Sequence, residues 1–182
     1  MVEIGTILSF IQEAGIIVGV AYYIMNIQNN QRNQQLTLET RQAQTFMNIY
    51  QTVMSKEFQR DSEEILHTWN WKDMDDHYAK YGDIQEHALG AYVCRTYDGI
   101  GTLVRSKLVD PELVYDLTYV MVLEMWEKFA SVTYEVRKRY NAPQVYQDFE
   151  YLYDVLVEIR RRRGHPVSDL KEQIKISRQE NK

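Results

Sequence analysis

The sequence has one cysteine, Cys94, and only three prolines and eight glycines among its 182 residues. A single thiol excludes an internal disulfide, which suits a reducing compartment. Scarce helix breakers and fourteen tyrosines exclude a disordered or loop-rich chain. Alternation of apolar and polar residues never runs long enough to mark a strand. No internal repeat, glycine-rich phosphate loop or nucleophile elbow is present, nor a Cys–His pair within sequence reach. We therefore assign no catalytic residue and no cofactor from the sequence.

Charge is missing in one place above all. From Ile4 to Ile27 there is no Lys, Arg, Asp or Pro, and Glu13 is the one full charge. As a helix this stretch reaches roughly 36 Å, enough to cross a hydrocarbon core of about 30 Å. Its apolar residues each favour insertion by about 0.3–0.6 kcal/mol, against roughly 2.5–3.5 kcal/mol for one central carboxylate. The balance favours a transmembrane anchor over residues 1–27, with Glu13 protonated or paired. A cleavable signal peptide does not fit, since no basic region precedes the apolar run and no small-residue cleavage site follows it. An interfacial helix would carry Lys or Arg on its polar face, and this one has neither. Arg32 and Arg41 follow the stretch. The positive-inside bias thus expects a single pass through the cell membrane, N-terminus outside and the remaining chain cytoplasmic.

Gly15 and Gly19 form a GxxxG pair, and Gln12 and Glu13 lie close by in sequence. Small residues let two helices approach, and amide or carboxyl groups can hydrogen-bond across the contact. These four are the helix-association candidates, for a homo-oligomer or a membrane-protein partner. The bland alternative is that glycines are simply common in membrane helices.

Beyond the anchor, residues 28–42 read as a polar helical stalk, with eight Asn or Gln between Asn26 and Gln35. Residues 43–164 read as an antiparallel bundle of about four helices, and 165–182 as a basic C-terminal tail. The fold class is all-α. Met47, Tyr50, Met54, Phe58 and Ile65 share one face of a helix expected to run to about Thr68. A short helix over Asp73 to Tyr81 follows, then a long one from Ile84 to Lys107, where Gly99 and Gly101 imply a close contact or a bend. Asp110-Pro111 starts a third long helix as N-cap and first residue. Its expected inward stripe includes Leu113, Leu117, Val120, Trp126 and Phe129. The fourth spans Gln144 to Arg162 and buries Phe149, Leu152, Leu156 and Ile159. Cys94 falls on an apolar face, as a small buried hydrophobe.

The segments Trp69-Asn70-Trp71-Lys72-Asp73 to Lys80-Tyr81-Gly82, Trp126-Glu127-Lys128-Phe129 and Phe149-Glu150-Tyr151-Leu152-Tyr153 give the chain an order of landmarks. In that order it resembles an uncharacterised prokaryotic family, a domain of unknown function, of single-span, N-terminally anchored all-helical proteins. The resemblance implies an architecture over nearly the whole chain, and no chemistry.

Two constellations merit weighing. Glu64 and His67 have the E-x-x-H spacing of di-iron bundles, but a second such pair and further inward carboxylates are needed. Together with Asp73 and His77 they are candidates for a metal site, against the plainer reading of an acidic loop that caps helix ends. Arg160, Arg161, Arg162 and Arg163 point all round a helix, so at least one must face the bundle. The others are lipid-contact candidates, against the plainer reading of cations that suit a helix C-terminus. Residues 57–127 carry fifteen acidic and six basic side chains, which argues against nucleic acid as a partner. The expected function is a non-catalytic, membrane-anchored interaction or accessory module. The alternative is a metal-assisted hydrolase or metal-binding sensor built on the acidic and histidine-bearing loop.

Overall fold

The computed structural model describes the backbone of residues 4–165, and side chains for Gly15, Ile16 and residues 18–165. Its helices are α1 (Ile4–Val53), α2 (Lys56–Thr68), α3 (Met74–Tyr81), α4 (Ile84–Arg105), α5 (Pro111–Arg139) and α6 (Gln147–Arg162). The fold is all-α, with no strand among the described residues. The chain divides into two compact units, one ending at Gln42 and the other beginning at Ala43.

The first unit is helical, and every residue from 18 to 42 is exposed. The amide-rich stretch holds its helix through local bonds: Gln35 donates to Glu39 at 3.1 Å, and the Thr37 hydroxyl to the Asn33 carbonyl at 2.8 Å. Among the described residues no helix is long and apolar enough to cross a membrane. The expected span over residues 4–27 gains no support there. Its described apolar part begins only at Gly15 and soon meets Tyr22, Tyr23 and Asn26, while the side chains of residues 4–14 and 17 lie outside the described set.

In the second unit, α1 ends at Val53 instead of continuing to Thr68. Ser55 is extended, and its Oγ accepts the Phe58 N–H at 3.2 Å. A serine N-cap of this kind starts a separate helix. The break also resets the buried face. Met47, Tyr50 and Met54, expected inward, are exposed, and Ile49 and Val53 are buried in their place. Phe58 and Ile65 are buried as their spacing implies.

α4 packs along α6, α5 packs on α6, α2 lies against α4 and α5, and α3 sits on α5. Val93, Tyr97 and Ile100 of α4 meet Phe149, Leu152 and Leu156 of α6 in one core cluster. Burying each such large apolar side chain contributes about 1.5–3 kcal/mol. On α5 the backbone leaves helical geometry at Thr118, which shifts the apolar stripe. Leu113 and Val120 are exposed, contrary to the sequence reading, and Val114, Tyr115 and Val122 are buried. α6 starts at Gln147, three residues later than its apolar spacing suggested. Tyr146 precedes it in a left-handed conformation (φ 51°) and offers no side-chain cap. Asp98 of α4 supplies that cap instead.

Candidate functional site

The Arg160–Arg163 run closes α6, and its four side chains have different fates. Arg160 is buried, with its guanidinium 5.6 Å from the centre of the Tyr119 ring. Arg161 pairs with Glu158 on its own helix. Arg162 pairs with Glu112, and Arg163 with Glu112 and Asp116, both acids lying on α5. Exposed ion pairs of this kind are worth about 0–1 kcal/mol. A lipid phosphate would therefore compete with a carboxylate at Arg161, Arg162 and Arg163. The residues of the tail beyond His165 lie outside the described set, as do the Gln12 and Glu13 side chains.

Glu64, His67, Asp73 and His77 are spread over several tasks. Glu64 and His67 are exposed on α2, where His67 lies 2.8 Å from Glu63. Asp73 caps α3 by accepting the Asp76 N–H at 2.8 Å. His77 is buried. The neighbouring acids are engaged as well. Asp75 pairs with Arg139 at 2.6 Å, whose hydrogen bond and charge hold its carboxyl below the usual range. Asp76 pairs with Lys80 at 2.9 Å and accepts the Lys72 N–H at 2.9 Å. Among the described residues no group of three or more His, Cys, Asp or Glu is placed to hold a metal ion.

His77 instead stands inside an aromatic box. Trp69, at the C-terminal end of α2, stacks on Tyr81 of α3 with centroids 4.2 Å apart and planes 4° from parallel. Trp71 meets the His77 ring edge to face at 4.6 Å and lies 5.0 Å from Phe129 of α5. Lys128 fixes this corner: its Nζ donates to the Leu66 and Trp69 carbonyls at 3.0 and 2.7 Å. Those are carbonyls that a helix end leaves unpaired. The Tyr81 hydroxyl accepts the Asn70 N–H at 2.9 Å, so the Trp69–Asn70 peptide is held on both its carbonyl and its amide side.

Beside the box lies a cavity of about 110 Å³. Its buried wall includes Trp69, His77, Cys94, Phe129 and Val132; Tyr78 and His87 lie on its exposed side. The His77 Nδ1 is buried and has no hydrogen-bond partner. Burial lowers the His77 pKa, and the His87 charge lowers it further, so the ring is neutral near pH 7. Burial raises the Cys94 thiol pKa far above its usual range, which leaves it protonated and unreactive. The sequence reading set His77 among metal candidates. It missed Tyr146 and Val136, which also line the cavity. They come from different turns of the bundle, so no local spacing links them to His77.

Comparison with protein families matches residues 9–166 to a model described as a domain of unknown function, DUF4760. The chain belongs to that family. Neither curated proteins nor solved structures gave a match.

Proposed function

We propose that this DUF4760 protein is a membrane-anchored, non-catalytic interaction module, held at the inner face of the cell membrane by the start of α1. The observation that carries the proposal is an exposed apolar run. Ile16, Val18, Val20, Ile24, Met25 and Ile27 are 39–68% exposed, on a helical segment where Gly15 and Gly19 have nothing within 4 Å of an added Cβ. Contiguous apolar surface of this extent marks an interaction with lipid or with another protein. The charge-poor residues before it extend the same apolar segment to the length of a span. A single pass with the N-terminus outside follows from Arg32 and Arg41. Gly15 and Gly19 then serve helix association, with a second copy or a membrane-protein partner.

The test is the mass of tagged full-length protein in mild detergent, beside a Gly15→Leu/Gly19→Leu variant, with bound metal assayed in the same sample. The proposal expects an oligomer or a stoichiometric companion that the variant loses. A monomer without a companion, carrying stoichiometric metal, overturns it in favour of the metal-dependent alternative.

A further inference from the structure

We propose that a second copy of this chain pairs, in parallel, along the uncharged face of α1. The pairing rests on the helix association read above at Gly15 and Gly19, and it names the partner.

The part of α1 in the second unit turns two different faces to its surroundings. Ile49 and Val53 are buried, whereas Met47, Tyr50 and Met54 are 43–48% exposed. At about 3.6 residues per turn, the first two point away from the other three. Met54 keeps the helical bond, its N–H donating to the Tyr50 carbonyl at 2.9 Å. Large apolar side chains gathered on one outward face mark a contact surface. Arg32, Glu39, Arg41 and the amide-rich stretch separate them in sequence from the apolar run at 16–27. The anchor therefore does not account for them.

Spacing selects a helix as the occupant. Counted back in sevens from Met54, the sequence reads Met47, Thr40, Asn33, Asn26 and Gly19. Three residues after each of the last five stand Tyr50, Ala43, Leu36, Asn29 and Tyr22. These are the a and d positions of a coiled coil, and none is charged. A seven-residue repeat drifts by about 20° per repeat round a lone straight helix. It stays aligned only against a second helix wound about the first. In the unit ending at Gln42, every member of this register from Gly19 onward is exposed.

Asn26 and Asn33 select the same chain over a foreign helix. A carboxamide both donates and accepts, so each asparagine answers its own counterpart across a parallel pair. Asparagine at an a position fixes register and the number of strands. The flanking charges agree with this pairing. In a parallel pair each g position faces the e position of the next repeat. Arg32 then meets Thr37 of the second copy, and Glu39 meets Gln44. No like charges oppose each other.

The experiment oxidises full-length protein with copper–phenanthroline in isolated membranes and reads mass on a non-reducing gel. Single cysteines are placed on the seam (Leu36→Cys, Met47→Cys) and off it (Leu38→Cys, Asn48→Cys). All four positions are exposed, so folding is not at stake, and the native Cys94 is buried. A disulfide needs Cα atoms within about 4.4–6.8 Å, which like positions on a parallel seam approach. The expected result is a product with the mass of two chains at Leu36→Cys and Met47→Cys. Leu38→Cys, Asn48→Cys and wild type stay at the mass of one. Equal cross-linking at all four positions, none on the seam, or a product containing a different protein would each overturn the pairing. Alkaline carbonate extraction of the same membranes separates this from the anchor. Release with the seam disulfides formed fails the anchor and keeps the pairing; retention without them does the reverse.

Discussion

The Asp98 carboxylate on α4 accepts the backbone N–H of Phe149, the third residue of α6, at 2.9 Å. The same oxygen accepts the Asp148 N–H at 3.0 Å. A helix N-terminus leaves its first amides unpaired and carries partial positive charge, and here another helix satisfies both needs. The Asp148 side chain is held in turn by the Thr102 hydroxyl at 2.6 Å and by an ion pair with Arg105. One face of α4 thus fixes where α6 begins.

Removing this cap weakens the bundle. Asp98→Ala is expected to cost about 1–2 kcal/mol, the scale of a lost N-cap, and Asp98→Asn less, because an amide oxygen still accepts. Urea unfolding of the full chain, followed by tryptophan fluorescence, checks both. Equal stability of wild type and Asp98→Ala would contradict the role given to Asp98.

Two glycines two residues apart should respond to alanine in opposite directions. A Cβ at Gly101 would lie 1.9 Å from the Asp148 carbonyl oxygen, whereas a Cβ at Gly99 meets nothing within 4 Å. Gly101→Ala therefore forces α4 and α6 apart, at a cost of about 1–3 kcal/mol or more. Gly99→Ala gains about 0.5–1 kcal/mol from helix propensity. The same unfolding assay separates them, and a shared sign would show that the approach of the two helices is not set at Gly101.

These two glycines show how far the sequence could be read. Their presence in a helix implied a close contact or a bend, but not which glycine made it, because that depends on the helix opposite. Asp98 gave no local sign of its task, since its partners lie about fifty residues away. Signals confined to one turn were legible: Asp110 as a cap, and Asp73 at the start of α3. Ser55 was just as local a signal, yet the apolar spacing running through it suggested one continuous helix. The stripe on α5 was misjudged at Leu113 and Val120 because the departure at Thr118 rotates the face. At the candidate site the aromatic residues and His77 stood out by type. The cavity did not, because it exists only where α3, α4, α5 and the turn before α6 meet.

Acid should test the burial of His77. Its pKa is lowered by burial first and by His87 second, while in the unfolded chain a histidine titrates near about 6.5. Between those two values the unfolded state holds the extra proton, so stability falls as pH drops. The contribution is fully present above about pH 6.5 and is lost as pH falls toward and through the lower folded value. Wild type is expected to lose more stability than His77→Phe between pH 7 and pH 5. Lys128, Glu86 and Glu135 from the surrounding helices remain in both proteins, so the difference between the two curves reports the histidine. Parallel curves would contradict a buried, neutral His77.

The central claim concerns the anchor, and alkaline carbonate extraction of cell membranes carrying the full-length protein tests it most directly. Wild type should stay with the membrane pellet, and an Ile16→Asp/Val20→Asp variant should be released, because each aspartate inside a span costs about 2.5–3.5 kcal/mol. Recovery of folded wild-type protein in the supernatant would contradict the anchor and the function built on it.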